Sequence, residues 1–549
     1  MKKRIAAVLL AVLMAAALLP TAVPASAVDG LTVRKANGRP AFEGSYDESA
    51  GTVAPRNADY YRTETEAGSI LHLRSDSLVV SGVSASEGIV IDEGVKSLTL
   101  FNAQILPEET ASPAFEGIHN NADALKITLK GANVIGNAAR LEAAVVSAGD
   151  IAFTGSGSLT LCGAERGLVS ESSVTFDRGF SGKLTVESTG SSGEEDDAAL
   201  YAAGNVTLLG GRYDLASQAG YGISVGGSAA LQGLKSMNIR SSRDGIFAHG
   251  DVTVRNSKDL SVVSGGYGVF SYDGSAEIER CIGFRIEAGL AEKFVDYNED
   301  SDGINVAHRV SVLYSDLDIH VGGEGIKSVD MGGARNVDNG DDVIIHGSTV
   351  KITAEKKDGI EAEDGVRITL SRADITGGND GIYAGDGDIA VTDSLLNVSG
   401  TDDAMESGDA DILIKNSRVT AIATILPSDG SDSEADPHAL EAEQNITIDH
   451  SEVYAANQNF RSVAVRSFDD GEINLPGRII LKGDLCALGD AGFVPYADRS
   501  QLETPLFLSD EGDTFMVSAE KAAQTVYVCP ASYLRWAAGF EKALNRICR

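Results

Sequence analysis

A single tryptophan stands in 549 residues, and aromatics make up only 6% of the chain. Such a composition excludes a broad aromatic platform for sugar rings. Positive charge is also scarce: 45 Lys and Arg face 80 Asp and Glu, for a net charge of −35. That balance weighs against nucleic acid, an anionic membrane or an acidic polymer held by simple Coulomb attraction. An acidic polysaccharide can still bind where cations lie between the two surfaces. The five cysteines are odd in number and form no disulfide framework. Cys281 and Cys162 read as small residues inside a repeat, whereas Cys529 and Cys548 could pair across the C-terminal segment. Apart from the first residues, no apolar run is long enough to cross a bilayer, so no membrane insertion is expected.

Those first residues, MKKRIAAVLLAVLMAAALLPTAVPASA, have the build of a secretory signal: a basic start, an apolar stretch and Ala25-Ser26-Ala27 as a small-residue cleavage site. Cleavage after Ala27 is expected to give a secreted, extracellular chain. Losing Lys2, Lys3 and Arg4 brings the net charge to −38. No cysteine follows the cut, which speaks against a lipid anchor.

What the chain has in quantity is repetition. KDGIEAEDGVRITLSRADIT is followed by NDGIYAGDGDIAVTDSLLNVS, then DDAMESGDADILIKNSRVTA and PHALEAEQNITIDHSEVYA. An acid-Gly-Ile step, a turn, two apolar residues in alternation, a serine and another apolar pair recur every 22 to 23 residues, as from Gly359 to Gly381 and on to Ala404. Each phrase makes three short strands with Ile360, Val366, Ile368, Ala373 and Ile375 inward. One such unit has nothing to bury its apolar face against; stacked units share one interior, with strands about 4.8 Å apart. The fold expected is all-β, a single-stranded parallel β-helix with three strands per coil. Ser257, Ser315, Ser348, Ser371, Ser394, Ser417 and Ser451 recur at one register and should form a column at one corner.

The expected organisation is a signal at 1–27, a polar and irregular lead-in or cap at 28–68, the β-helix at 69–480 and a C-terminal cap at 481–549. In the last segment, 531–547 has helical spacing with a basic end. Three insertions, 287–301, 329–341 and 425–437, interrupt the rhythm and should form loops.

Aligned on the acid-Gly-Ile step, the coils expose columns. Before the glycine stand Tyr221, Asp244, Tyr267, Asp302, Glu324, Asp358, Asp380, Asp403 and His438. Two residues after it stand Tyr201, Ser224, Phe247, Phe270, Asn305, Lys327, Glu361, Tyr383, Glu406 and Glu441, and three further on Asp364, Asp386 and Asp409. Stacked carboxylates repel: two unit charges at about 4 Å cost on the order of 4 kcal/mol at an effective dielectric of 20. Such a ladder needs protonation, splaying into solvent or a cation. An oxygen-only donor set favours Ca²⁺ over zinc or copper. Asp358, Asp380, Asp402, Asp403 and Glu406 are the expected ligands, with Glu361 and Glu363 flanking. Repeated Asp-Gly is also ordinary turn chemistry, and that reading is preferred for Asp244. A second calcium candidate is DYNEDSDG, in which Asp296, Asn298, Asp300 and Asp302 alternate before Gly303; Arg309 stands where an EF-hand would carry its final Glu, so it is no EF-hand.

Phe247 and Phe270 are expected to project outward on adjacent coils, with Tyr383 further along, to meet the apolar faces of sugars, while Lys327 could reach a uronate carboxylate. Coverage by a neighbouring segment is the alternative. Catalysis has less support. A hydrolase needs two carboxyls about 5–9 Å apart, which stacked acids meet by accident. A uronate lyase needs calcium and a Lys or Arg base, and nothing singles out Lys327 or Arg335 for that role. No Ser-His-Asp order or metal-binding His cluster stands out among the eight histidines.

The succession EGIHNNADALKITLKGAN, VVSAGDIAFTGSGSLTL and EGIKS…DDVIIHGSTVKITAEKKDGIEAEDGVRIT resembles the bacterial carbohydrate-binding proteins of the pectate-lyase-like β-helix superfamily, over roughly residues 68–475. The resemblance implies a secreted right-handed parallel β-helix that binds calcium and plant cell-wall polymers such as cellulose and polygalacturonate, without established cleavage. The related polygalacturonase pattern is not met: Ile345-His346-Gly347 stands where Gly-His-Gly would be sought, and Thr369 rather than Lys follows Arg367-Ile368. The expectation is therefore a secreted, calcium-dependent polysaccharide-binding protein. A pectin-type lyase and a surface scaffold or adhesin are the alternatives.

Overall fold

In the computed structural model, residues 30–457 are described apart from 66–67, 86, 107–115, 137–140, 190–196, 291–297, 299, 329–340 and 425–436. Beyond them the described parts are the strands Val465–Ser467, Ile473–Asn474, Arg478–Lys482 and Thr525–Val528. The leader, Cys529, Cys548, the segment 531–547 and most of the three insertions lie outside the described residues.

The repeat folds as its spacing dictates. Ile360–Ala362 pairs in parallel with Ile382–Ala384, Gly365–Thr369 with Ile389–Thr392, and Arg372–Thr376 with Leu395–Gly400, so each strand finds its partner one coil away. Three parallel sheets result, wrapped around a single interior: a parallel β-helix. Ile360, Val366, Ile368, Ala373 and Ile375 all point into it and are at most 2% exposed. Burying each isoleucine stabilises the stack by about 1.5–3 kcal/mol.

The chain turns between the second and third sheets on one left-handed residue per coil. Asn256, Arg280, Tyr314, Leu370, Asp393, Asn416 and His450 adopt φ of 46–52° there, and Gly347 adopts 61°. The next residue is the recurrent serine. Its hydroxyl accepts the amide of the preceding coil: Ser348 N–H to Ser371 Oγ at 3.1 Å, Ser371 to Ser394 at 3.1 Å, Ser394 to Ser417 at 3.1 Å and Ser417 to Ser451 at 3.0 Å. Cys281 occupies the same register, its amide donating to Ser315 Oγ at 3.0 Å. Burial pushes the Cys281 and Cys162 thiols up to about 11, which leaves both inert.

The lead-in is not irregular, as the polar composition had suggested. Gly30–Lys35 pairs antiparallel with Leu78–Ser84, and Tyr60–Thr65 with Gly68–Leu73. Leu31, Val33 and Tyr60 close the end of the core. Arg62 fastens this cap through Glu87 at 2.5 Å, Glu43 at 2.7 Å and the Leu31 carbonyl at 2.8 Å. At the other end Thr525–Val528 lies antiparallel on Arg478–Lys482. No helix among the described residues is long and apolar enough to cross a membrane.

Candidate functional site

The acid-Gly step has a local cause. The carboxylate of each coil accepts the amide of the residue above it: Asp302 Oδ1 from Glu324 at 2.8 Å, Asp358 Oδ1 from Asp380 at 2.9 Å, Asp380 Oδ1 from Asp403 at 2.8 Å, and Asp403 Oδ1 from His438. The following glycine is needed because the next coil's backbone passes close by. A Cβ on Gly359 would stand 2.5 Å from the Gly381 carbonyl oxygen. Asp244 makes the same bond to the Tyr267 amide at 2.9 Å, which fits the turn role expected for it. The column therefore exists for backbone satisfaction, and its charges must be balanced by other means.

Over the first coils of the ladder the balance is internal. Asp302 and Glu324 are both buried and hydrogen-bonded to each other, and burial together with Glu324 pushes the Asp302 carboxyl well up. Burial also raises Glu324, but Asp302 and Lys327 overcome it and hold Glu324 ionised. Lys327 bridges Glu324 at 3.1 Å and Glu361 at 2.5 Å, while Lys357 meets Glu324 at 3.2 Å. Asn305 donates to Asp302 at 2.6 Å.

Further along, this balance fails. Asp380, Asp403 and Glu406 bring carboxylate oxygens within 4.8 Å of one another. Among the described residues no lysine or arginine pairs with these three, and the cation in contact is His438, against Asp403 at 3.4 Å. Burial, with Asp358 adding repulsion, pushes Asp380 up to about 9; burial with Asp403 and Glu441 pushes Glu406 up to about 8; burial pushes Asp403 up to about 6 against the opposing pull of His438. Asp358 also rises through burial, and Asn379 bridges it to Asp380 at 2.9 and 3.0 Å. Three convergent carboxylates, oxygen donors only, suit a hard cation such as Ca²⁺, which takes six to eight oxygens.

The other expected ligands distribute unevenly. Asp402 lies close enough to raise Glu406, and Glu361 is held by Lys327 beside the ladder. Glu363 does not flank the column. It stands past the other end of the strand Ile360–Ala362, where its charge acts on Asp342 and Asp364. In the acidic loop Asp296 lies outside the described residues, and Asn298 Oδ1 accepts the Asp300 amide at 3.2 Å in a local turn. Asp302 is committed to Glu324 and Asn305 instead.

Two residues were missed as ligands. His438 ends the column of residues before the glycine, and with Asp403 and Glu441 it forms a second convergent group. Burial lowers the imidazole pKa, but Asp403 and Glu441 outweigh it and raise it to about 9. The signal was present, since His438 and Glu441 fall in the two aligned columns one coil beyond Asp403 and Glu406.

The neighbouring column is continuous on the outer face of the first sheet. Phe247 registers with Phe270, then Asn305, Lys327, Glu361, Tyr383, Glu406 and Glu441 in successive coils. Phe247 stacks on Phe270 with centroids 5.6 Å apart, and Tyr267 stacks on Phe270 at 5.0 Å. Phe247 is less outward than expected: Tyr221, His249 and Phe270 leave it 9% exposed. Phe270 and Tyr383 remain half-buried, and Tyr272 is exposed at the edge.

Residues 290–476 match a family model described as carbohydrate-binding domain-containing protein. The match supports carbohydrate binding. It spans the whole acidic ladder from Asp302 to His438 and starts after the aromatic cluster. Comparison with curated proteins and with solved structures finds no match.

Proposed function

We propose that this chain is an exported protein that binds an acidic cell-wall polysaccharide through calcium and does not cleave it. The observation that carries this reading is the convergence of Asp380, Asp403 and Glu406 inside the matched segment. A chain of net charge −35 repels a polyuronate, so a shared divalent ion is the physical means of contact. Lys327 and Tyr383 share the outer column with Glu406 and would meet the sugar beside the ion.

The chemistry of Lys327 favours binding over elimination. Burial lowers its pKa, but Glu361 and Glu324 reverse that and hold the ammonium charged. A charged lysine cannot take the C5 proton of a uronate. Arg335 lies outside the described residues.

The test is retention on immobilised polygalacturonate in calcium and after chelation. Retention that is lost with chelator and in the D380N/E406Q variant supports the reading. Equal retention without calcium removes it, and release of unsaturated uronides would make the chain a lyase.

A further inference from the structure

The acidic column ends on a side chain of different chemistry. Asp302, Glu324, Asp358, Asp380 and Asp403 give way to His438, 1% exposed, in the coil where the ladder stops. Its backbone is fixed twice: the amide donates to Asp403 Oδ1, and the carbonyl accepts from the Ala404 amide at 3.0 Å. The ring Nδ1 faces Asp403 Oδ1 at 3.4 Å and is also in contact with Glu441 Oε2. Glu441 comes in from the next column, in register with Glu406 below it.

One imidazole nitrogen and two carboxylate oxygens thus lie within 4.8 Å of one another around a buried side chain. Calcium makes little use of imidazole, whereas first-row divalent metals, zinc among them, take histidine nitrogen and carboxylate oxygen together. We infer that Asp403, His438 and Glu441 form a site for a divalent transition metal such as Zn²⁺, distinguished by its imidazole nitrogen from the oxygen-only cluster that begins one coil earlier.

The site supplies three protein ligands and leaves further positions to water or to a hydroxyl or carboxylate of a bound glycan. Asp403 belongs to both groups, so the two sites are neighbours along the ladder and not independent. An imidazolium held between two carboxylates would balance the same charge without any metal; the two arrangements differ in what they bind. The inference uses the same column as the proposed function but does not depend on calcium or on polysaccharide.

The experiment is calorimetric titration of the metal-free, full-length protein with Zn²⁺, and separately with Ca²⁺. One Zn²⁺ site is expected, weakened by about tenfold or more in H438Q and in E441Q, the loss usual for a disturbed metal shell. D380N should weaken Ca²⁺ binding while changing Zn²⁺ affinity less than about twofold, well under 1.4 kcal/mol per tenfold. Co²⁺ should give a visible absorption band in the wild type that H438Q lacks. Thermal melts of H438Q and E441Q establish that each is folded, and Glu441, half-buried, is the milder change. No Zn²⁺ uptake by the wild type overturns the proposal. So does uptake unchanged in H438Q, which would place the metal on exposed histidines such as His450, and so does equal loss in D380N, which would place it in the oxygen-only cluster. If calcium binding fails but H438Q still loses zinc, this site stands and the proposed function falls.

Discussion

The amide of Asp403 donates to Asp380 Oδ1 at 2.8 Å, so a carboxylate that repels its neighbours is also what ties one coil to the next. Asp380, Glu406 and Asp403 are pushed up to about 9, 8 and 6, all above the ordinary carboxylate value. Between about pH 4 and pH 9 the folded chain therefore holds more protons on these groups than the unfolded chain, and their contribution to stability falls as pH rises. His438, raised to about 9, acts in the same direction: its contribution is complete below its ordinary value and is lost as pH climbs through the folded one. In chelator, thermal melts should show a higher midpoint at pH 5 than at pH 8, and calcium should narrow the difference. D380N, whose amide oxygen can still accept the Asp403 amide, should flatten the profile. A slope unchanged in D380N would show that these groups are not its source.

Asp342 shows the same physics at another corner. Its Oδ2 accepts the Asp364 amide at 2.8 Å, while Oδ1 is buried with no hydrogen-bond partner. Burial, with the charges of Asp364 and Glu363, pushes the carboxyl up to about 6, opposed by Arg309. This carboxyl therefore adds to the loss of stability as pH rises from about 4 through about 6.

The serine column makes a separate prediction. Ser371 Oγ accepts the Ser348 amide at 3.1 Å and donates to the Thr369 carbonyl at 2.8 Å, and Ser371 is fully buried. Ser371→Ala strands a buried N–H, at a cost of about 1–3 kcal/mol. Ser371→Cys should cost less, because Cys281 already occupies this register with its sulfur 3.4 Å from the Val254 carbonyl oxygen. Urea unfolding of the two variants orders them; an alanine variant as stable as wild type would show that the ladder contributes no net stability.

At the preceding position Leu370 holds φ of 52°, where a branched apolar side chain is strained. The left-handed region costs most residues about 1–2 kcal/mol and asparagine less. Asn256 and Asn416 adopt φ of 50° and 48° at equivalent corners. Leu370→Asn should raise stability by about 1 kcal/mol, read as a higher urea midpoint at unchanged slope. A fall in midpoint would mean that contacts of the leucine outweigh its backbone strain.

Most of the coil geometry was legible because period-2 alternation and a 22- to 23-residue spacing permit a single stacking register, as the partnership of Ile360 with Ile382 shows. The columns followed from that register, and so did Asp380, Asp403 and Glu406. What was not legible depends on the length and direction of individual side chains. Glu363, two residues beyond Glu361, lies past the end of a three-residue strand and so faces a different corner. Phe247 shares the outward parity of Phe270, yet Tyr221 and His249 close over it, which parity cannot reveal. The cap strand Gly30–Lys35 alternates too briefly to be distinguished from a polar loop.

The aromatic cluster and the acidic ladder are adjacent on one face, and binding measurements can separate them. Phe270 registers directly with Asn305, where the first coils of the ladder begin, but it lies outside the segment matched by the family model. Tyr383 lies inside that segment, between Glu361 and Glu406. Burying an aromatic ring against a sugar is worth about 1.5–3 kcal/mol, which is about tenfold or more in affinity. If the glycan runs along the whole column, Phe270→Ala and Tyr383→Ala should each weaken retention on polygalacturonate by about tenfold while calcium affinity stays constant. A loss confined to Tyr383→Ala would restrict the binding surface to residues 290–476 and leave Phe270 as packing against Phe247 and Tyr267. Should neither variant weaken retention, ring stacking plays no part, and the contact runs through the metal and Lys327 alone.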